Sequence, residues 1–396
     1  MKRRCLIAVV AVLCLLMAFA VSACNNSDNG TSNIPDGDES SPSTPGAEED
    51  IVLNAQKISI AEGGVYSIVS NRECNYVSSD NNVVRVENGV LTGVSAGSAT
   101  VTAYAGNKTA KIDVKVGGVM LAIGDSIFTS DFSPMLLDTI ASDLGYTLVR
   151  DTISGSTIAP ASSVGIVDHI RSGLYDDLLA DAAPDLILIG RGTNDVYWSG
   201  IAGNPLKLGE PDSENASETY GAIKYVIEYF KSKYPEARIV WTNSIARSDA
   251  ALERIREFNS NLSDICADYG VDVIDLHDAT GITTASLGKM TIDGIHPNQT
   301  GRETYRIVIE EALRMDGTVE MFGSVVAWSK GYREGVSGVE YPLSLECEGE
   351  CRIFSTDEDV AVYDVERNKL VFVGKGIAYI VAVSADAVAV TTAVCY

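Results

Sequence analysis

A chain of 396 residues, 46% of them apolar, is long enough for roughly two or three domains, each able to bury its own core. Its formal net charge of −24 argues against nucleic acid and against anionic lipid surfaces as partners. The charge names no positive partner, because acidic surfaces commonly just keep proteins soluble.

The chain opens on Met1-Lys-Arg-Arg4, followed by an apolar run from Leu6 that ends at Val21-Ser-Ala-Cys24. A basic start, a short apolar core and a small-residue end predict a secretory signal peptide over residues 1–23. The run falls short of the roughly 20 residues that a membrane span needs. Val21-Ser-Ala-Cys24 also resembles the bacterial lipobox. That resemblance implies cleavage before Cys24, lipidation of its thiol, anchorage to a membrane and an extracytoplasmic, cell-envelope location. Residues 24–50 are rich in Ser, Asn, Asp, Gly and Pro and contain no Lys or Arg. Such a segment cannot bury enough apolar surface to order itself, so it predicts a disordered acidic linker.

Beyond Cys24, the cysteines are Cys74, Cys266, Cys347, Cys351 and Cys395, an odd number. Cys266 falls inside a helical pattern and reads as a buried apolar thiol. Cys347 and Cys351, with Cys395 as a further candidate, are placed to form a disulfide in an oxidising compartment. No spacing matches a zinc site, and no cofactor is expected.

Residues 51–117 show short alternating strands, such as Tyr66–Val69, Val83–Val86 and Ala99–Ala103, with a hairpin signal at Asn88-Gly89. They predict a small β-sandwich. The stretch from Val86 to Ala103 resembles the bacterial Ig-like domain of group 2.

Residues 118–316 alternate buried apolar runs with helical spacing. Strands are predicted at Val119–Ile123, Thr147–Arg150, Asp185–Ile189, Arg238–Thr242 and Val271–Ile274. Helices are predicted at Phe132–Leu144, Val164–Ala180, Glu218–Lys233, Ala250–Tyr269 and Gly301–Arg314. This alternation is that of a doubly wound α/β domain with a parallel five-stranded sheet.

The C-terminal stretch repeats the first sandwich. Cys74–Asp80 aligns without gaps on Cys351–Asp357, and Leu91–Ala103 tracks Leu370–Ala382 in its apolar residues and glycines. Residues 320–396 are therefore predicted to be a second, divergent Ig-like sandwich. Both flanks read as spacing and support rather than as binding modules.

Open α/β sheets bind their ligands at the carboxyl ends of the strands. Four polar signatures occur there: Gly124-Asp125-Ser126-Ile127, Ile153-Ser-Gly155-Ser-Thr157, Gly192-Thr-Asn194-Asp195 and Asp293-Gly-Ile-His296-Pro297-Asn298. Together they resemble the SGNH hydrolases of the GDSL esterase and lipase superfamily, whose four blocks supply Ser, Gly, Asn and His in that order. The resemblance covers about half the chain and implies the flavodoxin-like SGNH fold. Block two departs from many relatives, carrying Asp151 where they have Asn some residues before the glycine.

The chemistry needs these residue types. A serine hydroxyl is a poor nucleophile until a base takes its proton, and a neutral imidazole suits that task near pH 7. The resemblance makes Ser126 the nucleophile and His296 the base. Asp293, three residues earlier in the same loop, would fix the imidazole tautomer and stabilise the imidazolium. The backbone N–H groups of Ser126 and Gly155 and the side-chain amide of Asn194 would form the oxyanion hole. Asp125 and Asp195 read as loop-stabilising acceptors, and His169 and His277 as surface or hydrogen-bonded structural histidines. The long connection Val196–Ser217 starts with Tyr197-Trp198, a pair that could stack on a sugar ring as substrate-binding residues or simply cover the core.

These readings point to a lipid-anchored, extracytoplasmic serine esterase acting on small acyl esters, with an acetyl group on a carbohydrate as the favoured substrate. The alternatives are a lipase or lysophospholipase, and a surface adhesin that binds glycans without turnover.

Overall fold

The computed structural model describes residues 50–396, apart from 61–62, 162–163, 181, 316–325, 348–350 and 385–386. The expected signal peptide, Cys24 and nearly all of the expected linker lie outside the described residues.

The first seven strands are β1 (Lys57–Ile60), β2 (Val65–Ser67), β3 (Asn75–Ser78), β4 (Val84–Glu87), β5 (Val90–Gly93), β6 (Gly97–Ala105) and β7 (Lys108–Val116). They make a four-stranded sheet of order β1-β7-β6-β3 and a three-stranded sheet of order β2-β5-β4. Alternation sets the packing. Along β7, Ile112, Val114 and Val116 point inward while Asp113 and Lys115 between them face out, so only one face of this sheet is buried. The β4–β5 hairpin turns on Asn88 and Gly89, both at positive φ (50° and 78°), the pairing a tight turn between twisted strands requires.

The middle of the chain supplies β8 (Val119–Gly124), α1 (Leu136–Asp143), β9 (Thr147–Thr152), α2 (Ile166–Ser172), α3 (Leu174–Leu179), β10 (Leu186–Gly190), α4 (Thr193–Ser199), α5 (Thr219–Lys233), β11 (Arg238–Thr242), α6 (Leu252–Asp268), β12 (Asp272–Ile274), α7 (Leu276–Ala279), α8 (Leu287–Met290) and α9 (Gln299–Arg314). The five strands pair in parallel, in the order β12-β11-β10-β8-β9. Met120 and Ala122 face one core while Leu121 and Ile123 face the other, which is why this strand shows no polar alternation. Two expectations are corrected. The helix expected over 164–180 breaks into α2 and α3 at Gly173, which takes φ +79° and caps the first helix. The connection expected from Val196 starts instead inside α4.

The remaining strands are β13 (Val326–Trp328), β14 (Tyr332–Gly335), β15 (Glu340–Pro342), β16 (Leu345–Cys347), β17 (Arg352–Ser355), β18 (Ala361–Asp364), β19 (Lys369–Phe372), β20 (Gly376–Val383) and β21 (Val388–Cys395). Their four-stranded sheet has the order β14-β21-β20-β17 and their three-stranded sheet β15-β19-β18, with a β13–β16 pair besides. The repeat seen in sequence is thus a repeat of topology, down to a parallel first-to-last pairing in each larger sheet. Even the turns agree. Ser78 Oγ accepts from Asp80 N and Ser355 Oγ from Asp357 N, each at 3.2 Å. Cys347 and Cys351 form a disulfide, Cys266 is a buried thiol on α6, and Cys74 and Cys395 are free.

The two sandwiches meet the α/β part differently. Tyr379, Val381, Val388 and Val390 leave the second sandwich's own core and join that of α1 and α9. Its larger sheet is therefore buried on both faces, and β21 is buried almost throughout. Tyr332, Gly331 and the loop at Gly281 close the same junction, where the two glycine backbones touch and a Cβ on either would clash. The first sandwich keeps a core of its own among the described residues and reaches β10 through the Lys115–Asp185 ion pair.

Candidate active site

Strand β8 ends at Gly124, and the chain turns sharply so that Phe128 N and Thr129 N both donate back to the Asp125 carbonyl. The turn leaves Ser126 at the carboxyl edge of the sheet, 8% exposed. The loop between α8 and α9 brings His296 across to it. This loop is pinned at both ends: Asn298 N donates to Met290 O at 3.0 Å, and Asn298 Oδ1 caps α9 by accepting from Gly301 N at 3.1 Å. Within it, Asp293 Oδ1 accepts from the backbone N–H groups of Ile295 (3.0 Å) and His296 (2.8 Å). Its other oxygen, Oδ2, lies 2.7 Å from His296 Nδ1, and His296 Nε2 lies 2.9 Å from Ser126 Oγ. Residues 170 positions apart in sequence thus form one continuous hydrogen-bonded line from carboxylate to hydroxyl. Partial burial alone would raise the Asp293 carboxyl, but the hydrogen bonds from His296 and Ile295 outweigh it and hold it below its ordinary range.

Gly155 sits at the tip of the loop after β9 at φ +77°, and a Cβ there would meet nothing within 4 Å. Glycine is needed here for its left-handed conformation, not because protein crowds it. The space above it is open. Neither Ser126 N nor Gly155 N donates to any acceptor among the described residues. Two unpaired backbone donors flanking a serine hydroxyl can receive an anionic oxygen.

Asn194 lies in the first turn of α4. Its Nδ2 donates to Ser156 O at 2.9 Å and makes a longer contact, 3.4 Å, to Asp125 Oδ2. The first bond fastens it to the Gly155 loop, and the second, longer contact links it to the turn that carries Ser126. Asp195 is fully buried and holds the same loop by accepting from Ile158 N (2.9 Å), Ala159 N (3.2 Å) and Thr219 Oγ1 (3.0 Å). Burial pushes both Asp125 and Asp195 up to about 6.

Tyr197 and Trp198 follow on α4 with their rings edge to face, 5.0 Å apart. The Arg247 guanidinium lies over the Tyr197 ring at 4.9 Å, so that face is already occupied, while Trp198 is 39% exposed. His169 and His277 are both buried and hydrogen-bonded, to Asp151 (2.8 Å) and to the Ser244 carbonyl (3.1 Å).

Three contributors had no clear sequence signal. Arg191 is fully buried and ties the ends of two strands together. It donates to Gly124 O (3.2 Å), Asp151 O (3.2 Å) and Val164 O (3.2 Å), and pairs with the Asp151 carboxylate at 3.0 Å. Asp151, the departure in block two, is therefore the counter-ion of this cation. Burial would raise it, but His169, Arg191 and Tyr175 together hold it below its ordinary range. Arg302 on α9 donates to Phe132 O (3.3 Å) and Pro297 O (3.2 Å). Phe132 itself stacks on His296, with ring centroids 3.8 Å apart and planes 15° from parallel. An Arg between two glycines at the end of a buried strand was the one usable hint for Arg191.

Residues 122–303 match the model of the GDSL-like Lipase/Acylhydrolase family. The chain therefore carries a GDSL/SGNH hydrolase domain and is an SGNH-type ester hydrolase. No curated protein matches the chain. Among solved structures, it is similar to a protein from Lactobacillus plantarum at 22% identity and a TM-score of 0.41, over 49% of this chain and 94% of that one. It is also similar to the lipase/acylhydrolase from Enterococcus faecalis at 18% identity and a TM-score of 0.37, over 50% of this chain and 95% of that one. An acetyl-xylooligosaccharide esterase variant from Geobacillus is similar at 15% identity and a TM-score of 0.37, again over 50% and 95%.

Proposed function

We propose that the protein hydrolyses short acyl esters by acyl transfer through Ser126. The observation that carries this reading is the line Asp293–His296–Ser126, with spacings of 2.7 and 2.9 Å. His296 Nε2 takes the hydroxyl proton as Ser126 Oγ attacks the ester carbonyl, and Asp293 stabilises the imidazolium that forms. The tetrahedral oxyanion receives the Ser126 and Gly155 N–H groups and the Asn194 amide. His296 then returns its proton to the leaving alcohol, and water, activated by the same imidazole, releases the acid.

The preference for a small acyl group rests on the walls. Ile127 and Phe128, which follow the nucleophile in sequence, are turned into the core, so neither is free to line an apolar channel for a long acyl chain. A buried methylene contributes about 0.8 kcal/mol only where an apolar surface receives it. A Cβ on Gly155 would meet nothing within 4 Å, so protein does not crowd the approach of a bulky ester such as an acylated sugar there. An acetyl ester of a carbohydrate is thus the favoured substrate, with Trp198 the exposed ring beside Asn194.

The lipase reading has Met135 and Ile292 in its favour, which flank Phe132 and His296 in sequence and are 65% and 63% exposed. A chain-length series of p-nitrophenyl esters, run below the micellar limit, separates the two. Efficiency should be greatest for acetate or propionate and fall by octanoate. A steady climb to octanoate would replace the esterase reading by the lipase one.

The flanking sandwiches we read as Ig-like modules that support the hydrolase on an envelope surface, with Cys24 as the lipid attachment site. The lipobox resemblance is what supports this. Palmitate labelling of the expressed protein should be lost in Cys24→Ala, and labelling that persists would remove the anchor from the account.

A further inference from the structure

We propose that Phe132 is a positioning residue for the general base, clamping the His296 ring and stabilising it as it becomes an imidazolium. The proposal rests on the assignment of His296 as the base of Ser126.

Three edges or faces of the imidazole are accounted for. Its Nδ1 edge meets Asp293 and its Nε2 edge meets Ser126. One face is covered by Phe132, nearly parallel at 3.8 Å. An imidazole held only at its two nitrogens can still rock about the line joining its partners, and a flat ring against one face removes that freedom. The clamp is itself held. Arg302 bonds at once to the carbonyl of Phe132 and to that of Pro297, the residue after the base, so the aromatic and the histidine loop are tied by one guanidinium. On the other side of Phe132, Ser133 N donates to Thr129 O at 2.8 Å, anchoring the segment to the turn that carries Ser126. Two residues further on, Met135 adopts φ +65°, a conformation a non-glycine side chain rarely takes, so the segment is held against a local cost where it approaches the base.

The stack acts on chemistry as well as on geometry. When Ser126 loses its proton, the imidazole gains a charge, and an aromatic face is negative at its centre. A cation over such a face is attracted to it, the more so when it is desolvated. The uncharged ring gains little of this, so the interaction favours the transition state over the ground state. The face also excludes water from the imidazolium. A side chain of the same bulk without a π-face provides neither effect.

The test compares Phe132→Leu, which keeps apolar volume, with Phe132→Tyr and Phe132→Trp, which keep a ring, all on p-nitrophenyl acetate with the full chain. Phe132→Leu should lower kcat about five- to tenfold with KM changed less than twofold, as expected when about 1 kcal/mol is lost only in the transition state. At least one ring-bearing variant should return to within twofold of wild type. Phosphonylation of Ser126 by a fluorophosphonate, which needs the same base, should slow in parallel in Phe132→Leu. Unchanged kcat in Phe132→Leu overturns the proposal. So does a loss that appears in KM alone, or one that neither ring restores. Ser126→Ala run alongside distinguishes the two levels: if it stays active, the base assignment has failed, whereas if it is dead and Phe132→Leu is normal, only the clamp has.

Discussion

At the scale of single residues, the site is a set of charges placed where burial works on each differently. Asp293, partly exposed and receiving three hydrogen bonds, is held below its ordinary range and stays ionised beside His296 through mild acid. Asp125, one residue before the serine, is fully buried, and its carboxyl is pushed up to about 6. The sign of the consequence follows from linkage. A carboxyl whose folded value lies above its unfolded value adds stability that is complete below the unfolded value and lost as pH rises through the folded one. Asp125 therefore makes folding less favourable as pH rises through about 6. Urea unfolding of wild type and Asp125→Asn at pH 5 and pH 7.5 checks this. The wild type should lose on the order of 1 kcal/mol more than the variant over that interval. Parallel behaviour of the two proteins would show that burial does not perturb Asp125. Most of the residues at this scale were legible, because Ser126, Gly155, Asn194 and His296 each sit in a short block with its own composition. Arg191, Arg302 and Phe132 were not. Their roles depend on what lies across the fold, and a lone Arg or Phe in a loop carries no local pattern that says so.

At the scale of elements, strands read more truly than helices. A run such as Met120–Ile123 has one explanation, burial on both faces, and β11 falls on the residues its run marks. The helix over 164–180 was misread because helical spacing continues through Gly173, and only its φ of +79° shows that the chain changes direction there. Helix α4 was missed because residues 196–217 are rich in Gly, Pro and acidic groups, a loop composition that hides one short turn of helix at its start. The most consequential element is β21. Its sequence Val388-Ala-Val-Thr-Thr-Ala-Val-Cys395 lacks the alternation of β7, and that difference marks a sheet buried on both sides. A chain ending at Met315 would leave the faces that receive Tyr379, Val381, Val388 and Val390 exposed. At about 1.5 to 3 kcal/mol for each buried side chain, the loss rivals the whole stability of a domain. Such a truncation should be insoluble or unfold at far lower urea. A chain starting at Gly117 should stay folded and active, since the first sandwich has its own core. Equal solubility of the two truncations would contradict this reading of the junction.

At the scale of the molecule, a β-sandwich, an α/β hydrolase domain and a second sandwich of the same topology follow one another, with the second serving as an added layer of the hydrolase core. The candidate site lies at the carboxyl edge of the parallel sheet, where loops from β8, β9, β10 and the α8–α9 connection converge. Everything proposed for the chemistry depends on one atom, Ser126 Oγ, being the nucleophile. The most direct measurement is to treat the protein with an alkyl fluorophosphonate, digest it and map the adduct by mass spectrometry. The account predicts a single stoichiometric adduct on the peptide containing Ser126, formed in step with the loss of esterase activity and absent in Ser126→Ala. An adduct on another residue, or full esterase activity in Ser126→Ala, would contradict it.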